Sequence, residues 1–407
     1  NLVEGNKVWG YTLSVVQDPV TPGLLFLGTE FGLYYSLDKG QSWIKWGETY
    51  PTVSTIDLKI HPREHDLIIG TFGRAAYIID DIRPLRDMAM NSKDEKLSGL
   101  NLFEPPLAYL SARQQASGSR FAGYGIFAGE NRQSGGSITY YLESLKPDTV
   151  ETDGVKEVKE LKNDSLWVEF FNENDERIRR IKIGVNKGFN RFFWDLERKG
   201  ERYPGTPKPV SKEVSDPGGL NVLPGKYKVK IQYGEWVDST SIEVKLDPRI
   251  EFNESALVAL DKDVDKAQAL VAGVTGKVDQ LNEIKKSISL VEKMLSDDDI
   301  SEDIKERTKA AKDTIKYFIE LINAPEDVQG IQRSPDILST RLSMLNYYIS
   351  SAIDRPNQSQ QIMLNQVSEE VEKVVGQIDE WLDEEWEETQ QIIEAASLSP
   401  FKKENEQ

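Results

Sequence analysis

The chain has 407 residues, no cysteine and a formal net charge of −18. That length exceeds the size at which one hydrophobic core stops growing, so two or three domains are expected. The acidic balance excludes the basic footprint that nucleic-acid binding requires. The absence of cysteine excludes disulfide staples and thiolate chemistry, and no run of about 18 apolar residues is present to span a membrane.

Residues 1–88 read as short strands in two copies. LLFLGTEFGLYYSLD at 24–38 is answered by LIIGTFGRAAYIIDD at 67–81, and Gly28-Thr29 and Gly70-Thr71 stand 42 residues apart. A proline-bearing turn opens each copy, Asp18-Pro19 and His61-Pro62. A period of about 40–45 residues is that of one four-stranded propeller blade. Between the copies, SLDKGQSW sets Ser36, Asp38, Gly40, Ser42 and Trp43 at the S-x-D-x-G-x-[ST]-W spacing of the Asp-box hairpin turn. Its expected roles are local: Asp38 accepts backbone N–H bonds, Gly40 takes φ > 0, and Trp43 re-enters the core. Two blades cannot close a ring, and the chain starts at Asn1 in mid-pattern. The expectation is a C-terminal part of a longer protein whose missing N-terminal blades are its first partner.

Residues 89–134 form an irregular connector with Pro105-Pro106 and a glycine-rich stretch from Gly118 to Gly136. Its Phe121, Tyr124, Ile126 and Phe127 suggest packing along another domain. Residues 135–250 alternate apolar and polar side chains, as in Ile138, Tyr140 and Leu142, or Trp167, Glu169 and Phe171, or Tyr227, Val229 and Ile231. That pattern predicts a small β-sandwich. The excursion from Lys199 to Leu220 reads as a flexible loop or as the module's contact loop.

From Ser255 the period becomes helical. A first helix is predicted to about Leu295, with Leu260, Val264, Ala267, Val271, Val274 and Val278 on one face, and Asp297–Asp299 break it. A second runs over 301–323 and stops before Pro325, a third lies between Pro335 and Pro356, and a fourth covers 359–396. Together, 251–398 predict an antiparallel bundle, with 399–407 a disordered tail. The fourth helix carries Val367, Val371, Val374, Ile378, Trp381 and Leu382 on one side. Acidic residues from Glu369 to Glu388 fill the other, a solvated face in which an exposed Trp386 would be a partner-binding anchor.

Candidate chemistry is sparse. His61 and His65 flank a Pro-Arg-Glu turn and read as turn residues rather than zinc ligands, so no metal and no cofactor is expected. No G-x-S-x-G elbow, Walker loop or dinucleotide fingerprint occurs. No catalytic residue is assigned. Arg74, after the Gly-Thr-Phe-Gly turn, is a binding candidate directed toward a propeller face or channel, with a structural salt bridge as its other reading.

SLDKGQSW followed by VSTIDLKIHPREHDLIIGTFGRAAYIIDDIRPL resembles the last blades of the bacterial sortilin-like, BNR-repeat proteins often labelled glycosyl hydrolases. GGSITYYL, GFNRFFWDLE and LPGKYKVKIQYG, closed by VKLDPR, are similar to the Ig-like module after the propeller in that family, a relative of the flagellar hook-capping protein's Ig-like domain. The resemblance makes Trp194 a core residue and keeps Asp38 away from any catalytic face. It implies an extracytoplasmic protein, periplasmic, outer-membrane-associated or secreted. The expected function is non-catalytic binding of protein or glycan, or scaffolding within a larger assembly. The alternative is a glycoside hydrolase or lyase whose active site lies in the missing blades.

Overall fold

The structure is a computed structural model. It describes residues 8–47, 49–91, 99–111, 132–145, 147–152, 155–160, 164–211, 213–249, 251, 253–294, 302–325, 337–351 and 356–395. The aromatic residues expected to pack the connector, the break at Asp297–Asp299 and the tail lie outside these. The chain divides into two compact units: residues 1–196 with 224–247, and residues 197–223 with 248–407. β-Structure dominates the first unit and helix the second, the multidomain β-then-α order read from the periodicities.

In the first unit, β1 (Thr12–Gln17), β2 (Leu25–Thr29), β3 (Gly32–Ser36) and β4 (Ile44–Lys45) form an antiparallel sheet in chain order. The second copy gives β5 (Thr55–Ile60), β6 (Leu67–Thr71) and β7 (Ala76–Ile79), again in order. Where a fourth strand would follow, the chain turns into α1 (Arg83–Asn91). Alternation sends Leu24, Phe26 and Leu33 from one sheet and Leu58, Leu67 and Ile69 from the other into one buried cluster. Ile82 and Leu85 at the start of α1 complete it.

Short strands β8 (Leu100–Leu102) and β9 (Ala108–Leu110) precede β10 (Gly136–Leu142), the hairpin β11 (Pro147–Thr152) and β12 (Val155–Glu160), then β13 (Ser165–Phe171), β14 (Arg177–Gly184) and β15 (Gly188–Trp194). A ribbon of β16 (Glu197–Lys199) and β17 (Gly218–Asn221) belongs to the second unit, and β18 (Gly225–Tyr233) and β19 (Trp236–Leu246) return to the first. Two sheets result, β15-β10-β8 and the mixed β14-β13-β18-β19-β9, in which β9 runs parallel to β19. Trp194 joins them: its ring stacks on Phe170 of β13 at 4.4 Å and meets Tyr227 of β18 edge-on at 5.4 Å. Ile138, Tyr140 and Leu142 are buried, as are Tyr227, Val229 and Ile231. The Trp167, Glu169 and Phe171 row lies on the outward side, because Leu166, Val168 and Phe170 take the core.

The second unit contains α2 (Glu254–Met294), α3 (Glu302–Ile322), α4 (Leu338–Ser350) and α5 (Gln358–Trp381), a π-helical turn at Leu382–Trp386, and α6 (Glu387–Ala395). α5 starts with a capping box: the Asn357 side chain accepts from Gln360 N while Gln360 Oε1 accepts from Asn357 N. The helices share one apolar core that includes every residue of the predicted α2 and α5 stripes. Cross-helix pairs give the directions. Asp263 with Gln361 and Lys277 with Asp379 advance together, so α2 and α5 are parallel. Tyr348 O with Gln360 and Arg341 with Glu370 run oppositely, as do Arg307 with Glu388 and Phe318 with Trp381. α3 and α4 therefore run antiparallel to both, α3 beside the C-terminal half of α2 (Lys312 to Glu292) and α4 beside its N-terminal half (Gln268 to Asn346). The predicted four-helix bundle is corrected to three rods, up-down-up, with the middle rod in two pieces. Forty-one residues make α2 about 60 Å long, long enough to back two shorter helices end to end.

The Lys199–Leu220 excursion is corrected as well. It is not a loop of the sandwich but a piece of the helical unit, where Tyr203 and Leu220 pack against the helical core. Arg202 pairs with Asp279 and its carbonyl accepts from Thr275 Oγ1, Arg198 bridges Asp261 and Asp265, and Lys208 reaches Glu283. Among the described residues, no helix is long and apolar enough to cross a membrane.

Candidate functional site

The Asp-box residues form a closed hydrogen-bonded turn between β3 and β4. Ser36 Oγ donates to Asp38 Oδ1 at 2.8 Å and accepts from Gly40 N at 2.8 Å. Asp38 Oδ1 accepts from Ser42 N at 2.8 Å, and Oδ2 accepts from Ser42 Oγ at 2.6 Å. Gly40 has φ +84°, a conformation in which a Cβ is strained. Burial works upward on the Asp38 carboxyl, but the hydrogen bonds from Ser42, Ser36 and Gln41 outweigh it and hold it below the ordinary carboxylate value. Trp43 is half-buried rather than seated in the core. Trp46 packs against the shared cluster instead, its ring edge-on to Tyr35 at 5.6 Å.

The turns that open the two copies are built alike. Asp18 Oδ1 accepts from Val20 N and Thr21 N, and in the second copy His61 Nδ1 accepts from Glu64 N at 3.0 Å. His61 is thus a turn cap in the position Asp18 holds. His65 has φ +59°, in the left-handed region, and its Nδ1 lies 3.1 Å from Arg86 Nη1. A guanidinium only donates, so Nδ1 accepts and the imidazole proton sits on Nε2. Arg86 also pairs with Asp18 Oδ2 at 2.8 Å, both side chains being fully buried. Burial, with Arg86 and Arg83 nearby, holds the His65 imidazole below its ordinary value.

Beside this lies a carboxylate-rich margin of the second sheet. Asp66 Oδ1 accepts from Asp81 N, and Arg132 spans Asp66 at 2.7 Å, Asp80 at 3.0 Å and Glu64 at 3.7 Å. Arg83 chelates Asp81 through Nε and Nη2. Arg191 of β15 donates to the carbonyls of Asp80 and Asp81 and to Thr139 Oγ1. Asp87 is the carboxyl here that stands above its ordinary value, raised by burial and by Glu104. Arg132 and Arg191 escaped the sequence reading because they are 52 and 111 residues from Asp80.

The two binding candidates lie elsewhere. Arg74 is exposed at the tip of the β6–β7 hairpin, between Gly73 at φ +83° and Ala75 at φ +58°. Thr71 Oγ1 closes that hairpin onto Ala75 O at 2.6 Å, and Phe72 beside it is 75% exposed. Trp386 is half-buried, packed on the helical core with its ring 6.2 Å from Trp381. It is therefore not the exposed anchor the acidic face suggested. In an α-helix, residues five apart diverge around the axis, and the π turn brings this pair to one side. Of the acidic face, Glu370, Asp379 and Glu388 are engaged by Arg341, Lys277 and Arg307. Among the described residues, no group of three or more His, Cys, Asp or Glu side chains is arranged to hold a metal ion.

No protein-family model matches the chain, and no curated protein matches it.

Proposed function

We propose that this chain is a non-catalytic, extracytoplasmic binding or scaffolding component, the C-terminal part of a β-propeller protein of the sortilin-like, BNR-repeat kind. Its first sheets are read as propeller blades, its Trp194-centred sandwich as an Ig-like module, and its three rods as a brace for a larger assembly. The repeated meanders, set 42 residues apart and joined through one core, support the blade reading. The stacking of Trp194 between two sheets supports the sandwich reading.

The observation that carries the functional part is the use made of the polar side chains. Both Asp38 oxygens are occupied by the turn, and the arginines around Asp18, Asp66, Asp80 and Asp81 tie strands together. Groups spent in this way brace a platform for recognition. Native mass spectrometry of the protein isolated from its source, with peptide mapping of what accompanies it, tests the reading. Stoichiometric complexes with propeller blades or an envelope assembly are expected. A lone chain that cleaves glycans would contradict it.

A further inference from the structure

The outward face of the five-stranded sheet carries a charge opposite to that of the whole protein. Along β13, Leu166, Val168 and Phe170 are buried, so Trp167, Glu169 and Phe171 stand on the other side. The register sets Lys182, Arg180 and Arg177 of β14 directly opposite these three. On β18 it sets Lys230 opposite Glu169 and Lys228 opposite Phe171, with Lys226 continuing the row. Two rows of three cations thus flank one central carboxylate, on a chain of net charge −18.

The contacts show an ordered array. Arg180 lies 3.7 Å from the Trp167 ring centroid and Lys182 lies 5.5 Å from it, while Lys228 lies 5.5 Å from that of Phe171. Glu169 gathers Arg177 at 3.0 Å, Lys230 at 3.5 Å and Arg180 at 3.8 Å. At the margins, Glu243 stands opposite Lys226, and Asp175 of the β13–β14 turn reaches Lys228 at 3.1 Å. Among the described residues of this face the formal balance is cationic, and like charges side by side do not stabilise a sheet. A guanidinium stacked on a ring is pre-oriented, so less entropy is lost when it meets an anion.

Alternate residues on a strand repeat at about 7 Å, a spacing suited to a linear ligand with regularly placed anionic groups. The face offers side chains only, because β13 and β18 are interior strands with both edges paired. A peptide adding as a strand needs an open edge. Half-buried aromatic rings between cations match sugar rings that carry acid groups, with C–H faces on Trp167 and Phe171 and anions on the flanking rows.

We propose that this sheet face binds a linear acidic polysaccharide, carboxylated or sulfated. The proposal rests on the binding reading above and names its ligand class. The test measures affinity of the full chain for polygalacturonate, dextran sulfate, neutral dextran and poly-L-glutamate, by calorimetry at low and high salt. Binding to one or both acidic polysaccharides is expected, weakened by salt, with neutral dextran inert. The relative affinity for polygalacturonate and dextran sulfate tells carboxylate from sulfate preference.

The triple variant Lys182→Glu, Lys226→Glu, Lys228→Glu should weaken binding at least about tenfold. The same charge change on α2, Lys285→Glu, Lys286→Glu, Lys293→Glu, should leave it within about twofold. Should the first variant misfold, Arg177→Gln alone must still weaken binding. Equal losses from both triples, or poly-L-glutamate binding as tightly as the polysaccharides, would overturn the proposal. A chain that binds a protein or neutral glycan but no polyanion would overturn it and leave the binding reading standing. Cleavage of a bound polysaccharide would sink that reading while the face still defines recognition.

Discussion

At the scale of single residues, the Asp18, Arg86 and His65 cluster is the most constrained polar feature of the β-rich unit. Removing Arg86 leaves the Asp18 carboxylate in a fully buried site, so Arg86→Ala should destabilise by about 3–5 kcal/mol in denaturant unfolding. His65 adds a pH dependence of definite sign. Its folded value lies below the unfolded value near 6.5, so the unfolded chain takes up the proton first. Its stabilising contribution is present above pH 6.5 and is lost as pH falls through the lowered folded value. Asparagine tolerates φ +59°, so His65→Asn should flatten that acid-side loss in thermal unfolding with little effect at neutral pH. The paired glycines of the repeat are predicted to differ. A Cβ on Gly28 would meet Thr55 O at 2.5 Å and Ser14 Oγ at 2.4 Å, whereas one on Gly70 would meet nothing closer than Asp57 Cβ at 3.5 Å. Gly28→Ala should cost about 1–3 kcal/mol, and Gly70→Ala should be nearly neutral.

At the scale of elements, the strands and helices were legible because each has a period. The 42-residue repeat located both meanders, and the α2 and α5 stripes fall wholly within the helical core. What was not legible came from distance or from a break in period. Nothing local in LDEEW marks a π turn, and a regular helix would have carried Trp386 away from Trp381. Trp43 and Trp46 flank the two-residue strand β4 on either side, and tertiary packing, not the motif, put Trp46 against the cluster. The candidate site was legible only in its turn residues, Asp38 and His61, because the arginines that complete the margin come from β15 and the residues before β10. Since Trp386 packs on the helical core, Trp386→Ala should destabilise the helical unit by about 2 kcal/mol in circular dichroism unfolding. A surface anchor would instead leave unfolding unchanged.

At the scale of the whole molecule, the two units are interleaved in sequence, since 197–223 leaves the β-rich unit to join the helices before 224–247 returns. A fragment of residues 248–407 should therefore form helix yet be less stable than the same helices in the full chain. The deficit, about 2–4 kcal/mol, follows from losing the packing of Tyr203 and Leu220 and the Arg202–Asp279 pair. In the reading proposed above, arginines that brace the sheets and the outward cationic face of the five-stranded sheet serve to hold a ligand. The most direct measurement follows acidic polysaccharide and full chain together, reading bound fraction and newly formed reducing ends in the same sample. Saturable retention with no new reducing ends is predicted, and reducing ends that accumulate in proportion to the amount of protein would contradict the account.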